Sequence, residues 1–196
     1  MRLLKKNYSK RSDEELMSLY IKGDRKAFEE IYNRYGNYLL NFFNRKLWQD
    51  REKAEDFTQE LFTKLINKPQ QFDVTKKFKT WLFTIAANMC KNEYKRMEIR
   101  KTTRDDVPEG FEAKANVKMA DRSVDESDFS TQLNAELNKL NDKHKEVFML
   151  RHFEGLSLNE IAEILSVNVG TVKSRLHNTT KLLAKKLSTY NTLLTE

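Results

Sequence analysis

The chain has 196 residues, with 36 Lys and Arg against 29 Asp and Glu and a formal net charge of +7. Five glycines and two prolines are too few turn residues for an all-β sandwich or a propeller, one cysteine excludes a disulfide framework and a Cys-rich metal site, and three scattered histidines give no zinc-ligand spacing. No apolar run approaches the roughly 18 residues of a spanning helix, and the N-terminal residues lack the apolar stretch of a secretory signal, which leaves a helical, basic, cytoplasmic chain with nucleic acid as the first partner to consider.

In chain order, Ser12 and Glu15 have capping-box spacing and open a helix with Leu16, Leu19 and Tyr20 on one side. Gly23-Asp24 breaks and restarts the chain. Ala27, Phe28, Ile31, Tyr32, Tyr35 and Leu39 then hold one apolar face for about four turns. Asp50 opens a third helix with Ala54, Phe57, Leu61, Phe62 and Leu65 inward, and Pro69 closes it. A polar loop from Pro69 to Lys77 leads to a fourth helix, with Phe78, Trp81, Leu82, Ile85, Ala86 and Met89 on its apolar side and Cys90 as a buried thiol.

Charge divides the chain into three stretches. Residues 1–103 carry 23 basic and 14 acidic side chains, residues 104–130 carry 4 and 8, and residues 131–196 carry 9 and 7. The acidic middle stretch holds Pro108 and Gly110, lacks a sustained apolar stripe and reads as a flexible linker. The expected architecture is therefore all-α: two small helical domains, 1–103 and 131–196, joined by an acidic linker, 104–130.

The second domain reads as a helix-turn-helix. After helices marked by Leu133, Leu137 and Leu140 and by Val147, Phe148 and Leu150, Ser157 and Glu160 repeat the capping-box spacing. They open a short helix with Ile161, Ala162 and Leu165 inward. Ser166-Val167-Asn168 is the turn, and Asn168 is placed to cap a helix from about Val169 to Leu187. No acidic residue occurs between Ile164 and Thr195, and Lys173, Ser174, His177, Asn178 and Lys181 share the outer face. A capped short helix, a three-residue turn and an acid-free amphipathic helix fit a major-groove reader, in which Lys donates to guanine and Asn pairs with adenine. Arg175 lies to the side and suits phosphate, and Leu158 and Asn159 can offer helix amides to the backbone.

Several stretches resemble one family. Glu154-Gly155-Leu156-Ser157-Leu158-Asn159-Glu160-Ile161-Ala162, followed by Val169-Gly170-Thr171-Val172-Lys173-Ser174-Arg175-Leu176, looks like region 4 of bacterial sigma factors. Ala54 to Phe62 resembles region 2.2, and Phe78 to Asn88 resembles regions 2.3 and 2.4. Two domains with no room for the other sigma regions are similar to the extracytoplasmic-function group.

The resemblance implies a transcription initiation factor that binds core RNA polymerase through the clamp helices of the largest subunit and the flap, recognises −35 and −10 promoter elements and aids opening. The group usually has an anti-sigma partner. Asp56, Gln59 and Glu60, at i, i+3 and i+4, are the implied polymerase face. The family places its flipped −10 base pocket in the loop after region 2.2, here Pro69 to Val74, with Gln70 as edge-reader and Phe72 as wall. Asn88 and Asn92, one turn apart, read beside it, and Lys79, Lys95 and Arg96 belong to a run of nine basic residues between Lys76 and Arg104 that suits phosphates. The spacing of Trp81 with Phe78, Leu82 and Ile85 places it mostly in the core. Ser166 stands where the family's turn often has Gly, and Asn141 where it often has Pro. No phosphate loop, HExxH, nucleophile elbow or paired acids in a cleft is visible, so no catalysis, cofactor or metal is expected.

Overall fold

The computed structural model describes residues 7–102 and 124–188. All regular structure there is helical, and no strand occurs among the described residues. The chain divides into two compact units, Met1–Ala115 and Asn116–Glu196.

Among the described residues, unit 1 holds four α-helices: α1 (Asp13–Ile21), α2 (Arg25–Lys46), α3 (Arg51–Asn67) and α4 (Phe78–Thr102). The expected start signals operate. Ser12 accepts from the Glu15 amide while the Glu15 carboxylate accepts from the Ser12 amide, and Asp50 accepts from the Lys53 amide. Gly23 adopts φ 96°, a left-handed conformation that favours glycine, and so turns α1 into α2. Helix α2 runs two turns beyond the four read from the sequence, because Phe42, Phe43 and Leu47 continue its buried face.

The core lies where α2 packs on α1, α3 and α4. It is aromatic: Phe42 meets Phe83 edge-on with centroids 5.4 Å apart, and Tyr35 meets Phe78 at 5.5 Å. Those contacts rotate the buried face of α4 from the expected one. Phe78, Leu82, Ala86, Met89 and Cys90 are buried as read, joined by Phe83, whereas Trp81 and Ile85 stay partly exposed.

Arg34 straps the N-terminal segment to α2, reaching the carbonyls of Tyr8, Ser9 and Arg11 and the carboxylates of Asp13 and Glu30. The Tyr35 hydroxyl donates to Asp13 at 2.5 Å, and burial together with that carboxylate drives its pKa well above the usual tyrosine value.

Unit 2 holds α5 (Val124–Asn138), α6 (Asp142–His152), α7 (Leu158–Leu165) and α8 (Val169–Lys186). Helix α8 is the hub, packed on the other three. Helix α5 begins at Val124, inside the stretch expected to be linker. Residues 103–123, with Pro108 and Gly110 of the expected linker, lie outside the described residues. Asn141 caps α6 through the Lys143 amide, so it serves where the family often has proline.

A candidate interface for nucleic acid and polymerase

The helix-turn-helix is built by local signals. The Ser157–Glu160 capping box starts α7. Its inner face is Ile161, Ala162 and Ile164. Leu165, expected inward, is only partly covered, because the chain turns away at the next residue. Ser166 makes that turn in the left-handed region, at φ 53° and ψ 48°. Asn168 stands at the N-cap of α8, but its side chain makes no capping bond, contrary to the sequence reading. The inner face of α8 is Val172, Thr179, Leu183 and Leu187. Thr179 hides its polarity by donating to the Arg175 carbonyl at 2.8 Å, which is why a threonine fits an otherwise apolar face.

The outer face of α8 comes out as expected. Lys173, Ser174, His177, Asn178 and Lys181 are all exposed, Arg175 is half-buried to their side, and Leu158 and Asn159 lie at the start of α7, the former half-buried and the latter exposed. The face carries two lysines, a histidine and an amide without an acid among them, which is the donor set that base edges and phosphates accept.

On α3, Asp56, Gln59 and Glu60 are exposed side by side. Glu60 is engaged by Lys64 at 2.7 Å, one turn on, an exposed pair worth little in water and readily exchanged for a partner's cation.

The fourth helix sorts the remaining residues differently from the sequence reading. Asn88, Asn92 and Lys95 are exposed along one face at i, i+4 and i+7. Trp81, seven residues before Asn88, heads the same face and is partly exposed rather than mostly core. Lys79 lies nine residues before Asn88, half a turn out of phase at 100° per residue, and its ammonium sits 6.0 Å from the Tyr38 ring centroid on α2. It is not brought together with the two asparagines. Arg96 is exposed, yet it pairs at 2.5 Å with Glu93.

The loop before α4 also corrects an expectation. Gln70 is exposed on a short 3-10 turn (Pro69–Gln71). Phe72 is 3% exposed, packed on Phe78 and Trp81 with centroids 5.2 Å from each. A ring 3% exposed leaves almost no surface with which to wall an open pocket. Phe72 instead pins the loop to α4 and props Trp81.

Two residues that sequence reasoning missed hold this face in place. Glu93 is 4% exposed and takes Lys53 and Arg96 at 2.5 Å each. Burial pushes its carboxyl up, but the Lys53 ammonium and then Arg96 outweigh burial and hold it below the usual range. Its register with Leu82, Ala86 and Met89 was the available signal. Glu14 reaches from α1 to accept from the Phe78 amide at 3.0 Å, capping α4 across 64 residues of sequence. Burial raises that carboxyl too, and the Phe78 amide and neighbouring donors bring it below its ordinary value.

Residues 31–99 match the family Sigma-70 region 2, and residues 130–183 match Sigma-70, region 4. The chain is 31% identical over 172 residues to the ECF RNA polymerase sigma factor SigW of Bacillus subtilis, covering 85% of this chain and 91% of that protein. It is 32% identical over 164 residues to the RNA polymerase sigma factor YlaC of the same organism, covering 84% and 94%. Among solved structures, the sigma factor RpoE bound to the anti-sigma factor NepR from Bartonella quintana aligns with a TM-score of 0.68 at 23% identity, over 83% of this chain and 98% of that one. CnrH in complex with the cytosolic domain of CnrY aligns with a TM-score of 0.65 at 20% identity, over 91% and 99%. These two carry the likeness of fold. Among the described residues no helix is long and apolar enough to cross a membrane.

Proposed function

The chain belongs to the sigma-70 family as an extracytoplasmic-function sigma factor, and from that premise we propose how its exposed faces divide the work of a transcription initiation factor. It is not an enzyme. It binds core RNA polymerase and directs it to promoters. We assign residues 1–103 to core binding and the −10 element, 104–130 to the connection, and 131–196 to the −35 element, with α5 reaching back into that connection.

The observation that carries the reading is the outer face of α8: five exposed polar or basic side chains and no acid, set behind a capped short helix and a three-residue turn. Laid in a major groove, Lys173 and Asn178 read base edges and Arg175 grips phosphate. On α4, Asn88 and Asn92 read unstacked bases of the −10 strand, with Trp81 beside them as a flat apolar surface, Gln70 as a polar edge-reader and Lys95 at the phosphates. Lys79 and Arg96 take secondary parts, the first through its place against Tyr38 and the second through Glu93. On α3, Asp56, Gln59 and Glu60 meet the basic side chains of the clamp helices, where carboxylates suit arginine forks. An anti-sigma protein is the expected regulator, and the cytoplasm the expected location.

Run-off transcription with core polymerase on a genomic promoter library, with and without this protein, tests the function. Charge reversal at Asp56 and Glu60 tests the face. Both side chains are exposed and the Lys64 pair contributes at most about 0.5 kcal/mol, so the double variant should keep its helicity and lose core affinity. Unchanged affinity would remove this surface from the interface.

A further inference from the structure

The turn between α2 and α3 is strained backbone. Trp48 and Gln49, neither of them glycine, stand in the left-handed region at φ 57° and 61°. The turn is held by the Gln49 amide donating to the Asn44 carbonyl at 2.9 Å and the Asp50 amide donating to the Leu47 carbonyl at 3.0 Å. The consequence is display. Leu47 is fully buried, and the next side chain, Trp48, is 50% exposed.

The indole is nevertheless braced. It meets Tyr94 of α4 edge-on, with centroids 5.2 Å apart at 74°, and the Lys53 ammonium lies 5.6 Å from its centroid. Tyr94 is fixed in turn, donating its hydroxyl to the Lys46 carbonyl with the Lys46 ammonium 5.8 Å from its ring. Lys53 and Arg96 share a single carboxylate, Glu93, so the pair carries one positive charge in excess of it. A rigid, half-exposed ring in a patch with surplus positive charge selects a partner that offers flat π-faces joined by anions.

We propose that Trp48 is a stacking platform for an unpaired nucleobase, with Lys53 and Arg96 neutralising the flanking phosphates. It is a second single-strand contact of unit 1, apart from the face of Asn88 and Asn92. The inference rests on the reading of α4 as a DNA face, because Arg96 follows Asn92 by one turn on that face and shares Glu93 with Lys53, which lies beside the ring. A strand leaving Asn92 meets Arg96 one turn on and reaches the ring by passing round α4, since Tyr94 lies about 200° from Asn92 at 100° per residue.

Trp48→Gly separates function from folding. Glycine relieves the left-handed strain while it removes the ring, so the protein should remain folded. The probe is a fluorescein-labelled oligothymidine of about 20 nucleotides, long enough for one such site, titrated with the full chain at low salt and read by anisotropy. Trp48→Gly should weaken single-strand binding about 5- to 150-fold, the range that stacking one base is worth, while Trp48→Phe retains most of it. A duplex of matched length should lose little. Wild-type affinity of Trp48→Gly for the oligonucleotide overturns the proposal, as does absence of binding by the wild type. So does a Trp48→Gly variant whose affinity falls for core polymerase and not for DNA, which would make the ring a protein contact. The α4 reading is scored apart, by Asn88→Ala with Asn92→Ala. If that pair alone loses binding, the asparagine face stands without Trp48; if Trp48→Gly alone loses it, Trp48 stands and the asparagine face falls.

Discussion

Phe72 and Gln70 are neighbours in the loop before α4, and the structure gives them opposite duties. Phe72 is 3% exposed with two ring contacts at 5.2 Å. Removing a buried phenyl costs about 3–5 kcal/mol, which is much of the roughly 5–15 kcal/mol that holds a domain of this size. Phe72→Leu keeps most of the apolar volume and forfeits the two aromatic contacts, about 0.5–1.5 kcal/mol each, so we expect a loss of roughly 1–3 kcal/mol. Gln70 is exposed, and Gln70→Ala should change stability by less than about 0.5 kcal/mol. Function should rank the other way. Gln70→Ala, with its pocket edge gone, should impair open-complex formation more than closed binding. Phe72→Leu should open promoters nearly normally at temperatures where it is folded. Calorimetry gives the stabilities, and permanganate reactivity of bubble thymines gives the opening. Normal thymine reactivity with Gln70→Ala, together with a failed bubble for a folded Phe72→Leu, would refute the division and return Phe72 to the pocket wall.

Ser166→Gly should stabilise unit 2 by about 0.5–1 kcal/mol, because a β-carbon is strained at φ 53°; differential scanning calorimetry of the full chain should show the transition of that unit rising by a few degrees. Lys173→Ala or Asn178→Ala should cost about 1–3 kcal/mol on the preferred −35 sequence and relax one base position, whereas Arg175→Ala should weaken all sites alike, as measured by competition binding of holoenzyme. Glu14 and Glu93 both have folded pKa values depressed below 4.5. Their contribution is therefore present above the unfolded value and lost as pH falls through the folded ones, so unit 1 should lose stability below about pH 4.5, and Glu14→Gln should flatten that dependence in thermal melts.

What the sequence made legible was most of what rests on neighbours along the chain. Both capping boxes, the Asp50 cap, the Gly23 break and the acid-free face of α8 are local, and each appeared where the residues put it. One local signal fails, since the Asn168 side chain makes no capping bond to α8, and the other misreadings involve distant packing. Trp81 was placed inward on spacing alone, but Phe42 docking on Phe83 fixes how α4 is rotated and leaves Trp81 at the edge. Phe72 is read as a pocket wall from the family's use of this loop, and its contacts with Phe78 and Trp81 on α4 bury it. Lys79 joined a basic run in sequence and left it in space, since nine residues carry it to the far side of the helix from Asn88. Glu93 draws no notice within a basic run, and its role depends on Lys53 of α3, 40 residues away in sequence.

The Glu14 carboxylate on the Phe78 amide has a consequence for how unit 1 assembles. Most helical domains fold through contacts close in sequence, but this bond closes a loop of 64 residues. The first turn of α4 therefore cannot complete its hydrogen bonding by itself, and its protection depends on α1 being docked by the Arg34 strap. In hydrogen exchange, the Phe78 amide should open together with α1 as one cooperative unit, separately from the middle of the helix to which it belongs.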